Sequence, residues 1–301
     1  MTRATASPQR DGAMRLRDGR QLAYSEWGDL AGNPMVLVLG MPCSRLLCPD
    51  EEATQAAAVR LITFDRPGYG LSDPRPGATL LNLAEDFVDL ADQLDLPPCP
   101  VVGWSVGGVY AMALGFALPD RVPTIGLAAS RAPIEQNRDL IATFPAAIRA
   151  AAELLWRDRA SGIAAIEELR SSFSGDGWEA MFAESWGEAD DRLLSNPATL
   201  LAMKTLFREA ARQGSAGFVA DSIAIYSPWG FSPAEIVQPV HLWGGELDTD
   251  VLRPETDYLA GTIPNATLVM FPEGHLFPFN HWAEMLASLR ELDPQAEGAP
   301  C

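Results

Sequence analysis

The run Gly103-Trp104-Ser105-Val106-Gly107 sets a serine between two glycines, directly after an apolar stretch at 100–104 and ahead of a helical pattern through Tyr110. A serine on so tight a strand-to-helix turn is forced into strained backbone geometry. Any Cβ on the flanking positions would strike the neighbouring strand and helix, a demand met by Gly103, Gly107 and Gly108. The helix that follows points its first amides at the serine, so the Val106 N–H is placed to stabilise an oxyanion. The chemistry implied is attack by the Ser105 hydroxyl on a carbonyl. A hydroxyl is a poor nucleophile unless a base removes its proton, and that base must be oriented by an acid.

Three histidines compete for the role of base. His275 lies in Pro272-Glu273-Gly274-His275-Leu276-Phe277-Pro278, immediately after the last apolar run, where a loop can carry its imidazole over the serine. His241 falls inside the apolar run 240–243 and reads as a core residue, while His281 opens a helix and reads as solvent-facing. For the acid, Gly244-Gly245-Glu246-Leu247-Asp248 puts Asp248 at the C-terminal end of a strand, the edge where ligand chemistry gathers in open α/β sheets. Glu246 and Asp250 are close alternatives. A second oxyanion donor must come from the loop after an early strand, and Gly40-Met41-Pro42-Cys43-Ser44 occupies that place, with the Met41 N–H as the candidate.

Positioning these groups requires a sheet. Alternation around Arg17-Asp18-Gly19-Arg20 predicts an antiparallel hairpin over 14–26, preceded by a flexible tail at 1–13. Short continuous apolar runs at 35–39, 59–64, 100–104, 122–129, 240–243 and 266–271 suit strands buried on both faces. Helical patterns at 80–94, 106–118, 255–261 and 281–292 separate them, the alternation expected of βαβ units. The core domain is therefore expected at 14–131 and 234–301. Between these, 132–233 is mostly helical, with patterns at 146–156, 163–169 and 200–211, and reads as an inserted lid. That lid is rich in aromatics, among them Phe144, Trp156, Phe173, Trp178, Phe182, Trp186, Phe207, Phe218, Tyr226 and Trp229. Gly40, Trp104, Trp156, Trp186 and Phe277 are the residues expected to meet a substrate.

Almost the whole chain, from about Met14 to Leu292, resembles the α/β-hydrolase family, specifically its lid-bearing serine esterase and lactonase-like members. The resemblance rests on Gly40-Met41-Pro42-Cys43-Ser44-Arg45, Asp65-Arg66-Pro67-Gly68-Tyr69-Gly70-Leu71-Ser72, Gly103-Trp104-Ser105-Val106-Gly107-Gly108, Gly245-Glu246-Leu247-Asp248 and Gly274-His275-Leu276-Phe277-Pro278, in that order. It implies an α/β fold with an eight-stranded, mostly parallel sheet flanked by helices, and it places the acid on Asp248. In the family the segment 65–72 usually shapes the fold rather than performing chemistry. One departure is visible: many relatives carry a histidine before the oxyanion-loop glycine, where Leu39 stands here.

The reading that follows is a serine hydrolase cleaving a carboxylic ester or lactone of a moderately apolar small molecule through an acyl-Ser105 intermediate. A carbon–carbon bond hydrolase, a proline iminopeptidase-like peptidase or a cofactor-free perhydrolase would use the same triad, and a ligand-binding receptor of the same fold is the non-enzymatic alternative. Dehalogenases and epoxide hydrolases of this fold place an aspartate where Ser105 stands. No metal or organic cofactor is expected, three histidines being too few for a multi-histidine site.

Composition bounds the rest. With 301 residues, 48% of them hydrophobic, the chain can bury a full core. Its 40 acidic against 22 basic residues give a formal charge of −18, leaving no basic stripe for nucleic acid. The longest apolar runs are strand-sized, so no membrane partner is expected. Residues 1–10 carry Arg3 and Arg10 but no following apolar stretch, which points to a cytoplasmic address. Cys43, Cys48, Cys99 and Cys301 read as free thiols, and the chain as a monomer or homodimer acting on a small molecule.

Overall fold

The computed structural model describes residues 7–171, 173, 177–182 and 186–291. Its frame is one sheet of eight strands: β1 (Arg10–Arg15), β2 (Gln21–Gly28), β3 (Asn33–Val38), β4 (Val59–Phe64), β5 (Val101–Trp104), β6 (Ile125–Ala128), β7 (Val240–Gly245) and β8 (Ala266–Phe271). They lie in the order β1-β2-β4-β3-β5-β6-β7-β8, with β1 antiparallel to β2, β2 antiparallel to β4 and every other pair parallel. This is the mostly parallel, eight-stranded sheet that the resemblance implies.

The continuous apolar runs are explained by burial on both faces. Every residue of β5 and β6 is buried. Because side chains alternate across a strand, Val36 and Val101 enter the core on one face while Leu37 and Val102 enter the core on the other. Helices α2 (Leu83–Gln93) and α3 (Val106–Ala117) cover the first face; α1 (Glu51–Ala56) and α11 (Pro278–Glu291) touch one another on the second. Helix α10 (Arg253–Thr262) joins β7 to β8. The last strand, β8, is a sheet edge, so its outer residues reach solvent and Val269 is 41% exposed.

Two boundaries differ from the sequence expectation. Strand pairing begins at Arg10 rather than at Met14, so residues 10–13 belong to the sheet and not to a tail. Polar side chains hold this edge: the Arg10 guanidinium lies 2.7 Å from the Glu26 carboxylate, and the Ser25 hydroxyl donates to Asp11 Oδ1 at 2.9 Å. Residues 1–6 of the expected tail lie outside the described residues. Strand β6 starts at Ile125, not at Val122, because Pro123 has no N–H to give to a central ladder.

Between β6 and β7 the chain makes the helical insertion, with α4 (Ala146–Arg157), α5 (Arg159–Arg170), α6 (Gly177–Phe182), α7 (Glu188–Leu194), α8 (Pro197–Ala210) and α9 (Ala216–Tyr226). Capping side chains mark the starts: Asp158 accepts from the Ala160 and Ser161 N–H groups, and Asn196 accepts from Ala198 N–H ahead of Pro197. The Phe182 side chain, Leu292 and Cys301 lie outside the described residues. Cys43, Cys48 and Cys99 are free and buried. Among the described residues no helix is long and apolar enough to cross a membrane.

Candidate active site

Ser105 is the single residue between β5 and α3, and it carries φ +58° and ψ −127°. Such a conformation costs about 1–3 kcal/mol for a non-glycine residue and persists only where the surroundings enforce it. Here the Ser105 N–H donates to Ala128 O at 2.8 Å and the Gly108 N–H donates back to Ser105 O at 3.0 Å. The flanking glycines admit no side chain: a Cβ on Gly107 would fall 1.9 Å from Val38 O, and one on Gly103 2.3 Å from Gly107 O.

His275 follows β8, and its Nδ1 lies 2.8 Å from Asp248 Oδ2. Asp248 is itself fixed, its Oδ1 accepting from the Asp250 and Val251 N–H groups at 2.8 and 2.9 Å. A carboxylate at Nδ1 keeps a proton on that nitrogen and leaves Nε2 for chemistry. The loop carrying the ring is pinned twice more. Asp190 of α7 accepts from the His275 and Leu276 N–H groups, each at 2.8 Å, and Trp104 Nε1 donates to His275 O at 3.2 Å. Ser105 and His275 open onto one cavity of about 360 Å³, with no hydrogen bond between them.

Of the remaining histidines, His241 is buried in β7 and stacks on Trp243 with ring centroids 5.6 Å apart. His281 sits on α11 between Glu273 and Glu284, each 3.2 Å away.

Met41 and Val106 also line the cavity beside Ser105, and the N–H of neither makes a hydrogen bond among the described residues. The loop rests directly on the serine, since a Cβ on Gly40 would come within 3.0 Å of Ser105 Cβ. Arg66 holds the loop from beneath: its guanidinium donates to Leu39 O and, at 2.8 Å, to Gly40 O.

Of the expected substrate residues, Gly40, Trp104 and Trp186 line the cavity. Trp156 and Phe277 do not. The Trp156 indole turns away to donate to Tyr226 O at 2.7 Å, with Arg138 stacked 4.7 Å from its ring, whereas Phe277 is fully buried against Phe271. Aromatic character alone says nothing about the direction a side chain takes.

The charges around His275 are unusual. Burial opposes a charged imidazole, but the carboxylates of Asp248 and Asp250 outweigh it and push His275 up to about 9. Asp250 Oδ2 stands 3.7 Å from Nε2, the nitrogen that would receive the serine proton. Arg131 holds Asp250 in place through its side chain and, at 2.7 Å, its backbone carbonyl. Enclosure would raise the Asp250 carboxyl, yet Arg131 and His275 together keep it below the ordinary carboxylate value.

A profile of the Alpha/beta hydrolase family matches residues 26–288. The chain belongs to that family. This alpha/beta hydrolase is 34% identical over 119 residues to a protein named as a non-heme bromoperoxidase, BpoC of Mycobacterium tuberculosis, a match covering 39% of this chain and 45% of that one. It is also 39% identical over 75 residues to 3-oxoadipate enol-lactonase 1 of Acinetobacter baylyi, across 25% of this chain and 28% of the other. The matched stretches thus span less than half the length of those relatives. Among solved structures, a hydrolase from Pseudomonas aeruginosa superposes with a TM-score of 0.69 at 22% identity, covering 97% of this chain and 99% of that one. The enol-lactonase from Burkholderia xenovorans gives 0.67 at 19%, covering 93% and 99%.

Several residues that build this hydrolase's site carry no local signal in the sequence. Asp190 sits in an acidic helix start that reads as a solvated face, and Arg131 follows β6 without a motif. Arg170, at the end of α5, reaches the cavity with its guanidinium 4.1 Å from the Phe218 ring and Nε donating to Ser222 Oγ at 3.1 Å. Asp250 was within reach of sequence reasoning as a rival to Asp248, but the ring separates the two, one carboxylate on each nitrogen.

Proposed function

We propose that this chain is a serine hydrolase cleaving a carboxylic ester or lactone of a moderately apolar small molecule. The observation that carries the reading is the strained Ser105 turn opening, with the Asp248-oriented His275, onto a single cavity. In the first half-reaction His275 Nε2 takes the Ser105 proton as Oγ attacks the carbonyl carbon. The Met41 and Val106 N–H groups receive the developing oxyanion, and His275 returns the proton to the departing alkoxide. In the second, His275 deprotonates a water that attacks the acyl-Ser105 ester, and the acid leaves as the serine recovers its proton. Asp248 stabilises the imidazolium in both.

Apolar lining supports a substrate of modest polarity: Met41, Phe144, Ile148, Trp186, Phe207 and Ile225 all face the cavity, whose volume suits a small molecule rather than a polymer. The enol-lactonase and esterase names among relatives and structural neighbours point the same way. The haloperoxidase names favour a second reading, in which hydrogen peroxide replaces water as acceptor of the acyl group and a peracid leaves.

The test is p-nitrophenyl ester turnover from acetate to decanoate by wild type and Ser105→Ala, with intact mass after a fluorophosphonate. Turnover and one adduct on Ser105, both lost in the alanine variant by a factor of about 10⁴ or more, support the reading. A folded wild type with neither would end it. Added peroxide diverting product to peracid would select the second reading.

A further inference from the structure

The oxyanion loop of this chain is built partly from the helical insertion. Arg66, 2% exposed, spans the two carbonyls of Leu39 and Gly40 on one side and Asp221 of α9 on the other, with Nη2 2.6 Å from Asp221 Oδ2. Asp221 is 3% exposed and takes two further hydrogen bonds, from the Tyr69 hydroxyl at 2.9 Å and the Tyr110 hydroxyl at 2.7 Å. Both oxygens of the carboxylate are thus occupied, and the guanidinium lies about equally far from the two tyrosine rings, 5.2 and 5.1 Å from their centroids.

Three more contacts tie α9 to the same place. The next residue, Ser222, whose hydroxyl donates to Phe218 O at 2.9 Å, has its Oγ 3.7 Å from Met41 Sδ. The start of α9 lies glycine against glycine on the turn that carries Arg66, where a Cβ on Gly68 would fall 2.9 Å from Gly217 N. Gln213, just ahead of α9, donates to the Gly70 and Ser72 carbonyls of that turn at 2.9 and 2.8 Å. A buried ion pair contributes little net stability compared with apolar residues of the same shape, because desolvating both charges offsets their attraction. What a fully satisfied pair does supply is position.

We infer that Asp221 and Arg66 are positioning residues for the oxyanion hole: the pair sets the Leu39–Met41 backbone against Ser105, so that the hole is formed only while α9 is docked. The inference rests on the serine hydrolase reading for its catalytic consequence, but the mechanical coupling stands apart from it.

The experiment compares wild type with Asp221→Asn and Tyr69→Phe. Three readouts are taken: kcat and KM on a p-nitrophenyl ester, affinity for a trifluoromethyl ketone that becomes an oxyanion on Ser105, and hydrogen exchange at 39–41. A displaced donor should lower kcat about 10- to 100-fold with KM changed less than about threefold, and weaken the ketone by the same factor as kcat. Exchange at 39–41 should rise together with exchange in α9. Tyr69→Phe, which removes one hydrogen bond and no charge, should show the same pattern at smaller size, and it decides the matter if Asp221→Asn does not fold. Folded variants with wild-type kcat, ketone affinity and 39–41 exchange would overturn the inference. If wild type neither turns over nor accepts a fluorophosphonate on Ser105, the hydrolase reading fails, and exchange at 39–41 alone then upholds or refutes the coupling.

Discussion

Replacing Asp250 with asparagine should move the pH profile of the enzyme toward acid and make it faster at neutral pH. In the proposed mechanism His275 must be uncharged to accept the serine proton, so turnover is expected to rise with pH through its pKa, pushed up to about 9. Asp250 Oδ2 is 3.7 Å from Nε2, and its side chain opens onto the cavity, so the interaction is screened. With an effective dielectric of about 60, a full charge at that distance is worth about 1.5 kcal/mol, or about one pH unit. Arg131 adds to the effect, because losing its partner leaves its positive charge less compensated beside the imidazole. The amide should therefore bring the rising limb of kcat/KM from about 9 to about 8, raising the neutral fraction at pH 7 from about 1% to about 10%. Geometry should hold, since Arg131 keeps Glu255 at 2.8 Å and the Asp250 carbonyl at 2.7 Å. The assay is p-nitrophenyl ester hydrolysis across pH 6 to 10, read at the isosbestic wavelength of nitrophenol. A limb that stays in place, or moves to higher pH, would refute the electrostatic argument.

Stability should respond to the same residue with the opposite trend: the raised His275 contributes fully below its ordinary value of 6.5 and loses that contribution as pH climbs through about 9. Melting temperature of wild type should fall across that interval, and His275→Gln should flatten the slope. Asp190→Asn leaves one of two buried N–H donors facing an amide NH₂, a cost of about 2–4 kcal/mol; melting should drop by several degrees and kcat by about tenfold or more as the His275 loop loosens. Trp186→Ala should raise kcat/KM for octanoate relative to acetate, whereas Trp156→Phe, outside the cavity, should leave that ratio unchanged while costing about 1 kcal/mol of stability through the lost hydrogen bond to Tyr226. Burial pushes the Cys43 thiol up to about 12, so the native protein should show no alkylation there by mass spectrometry at pH 8.

The sheet was readable because strands buried on both faces leave unbroken apolar runs, and five of the six predicted runs from 35 onward coincide with observed strands to within two residues at each end. That Ser105, Asp248 and His275 lie at one edge of the sheet was readable because each follows a strand end within four residues and has a glycine within three positions, so local sequence carries most of the geometry. Asp190, Asp221, Arg131 and Arg170 were not. Their placement depends on how the insertion packs onto the sheet, a contact between segments far apart in the chain that no local period records. The same gap misplaced Trp156 and Phe277, since an aromatic residue looks alike in sequence whether it faces a cavity, a backbone carbonyl or the core. Helix α9 also escaped notice, its surface being apolar nearly all round and so lacking the one-sided stripe that announces a surface helix.

The clasp of Asp190 on the His275 loop bears on how such proteins can be recombined. Its carboxylate fills the space above Gly274, where even a methyl group would come within 2.5 Å of it. The insertion and the loop after β8 are therefore cut to fit one another, although 84 residues of sequence number separate Asp190 from Gly274. A chimaera that imports a foreign insertion to change substrate range would carry across the new pocket but not this fit, leaving the histidine loop with two unpaired amides. Grafting should succeed only when the insertion and the residues around Gly274 are exchanged as one unit.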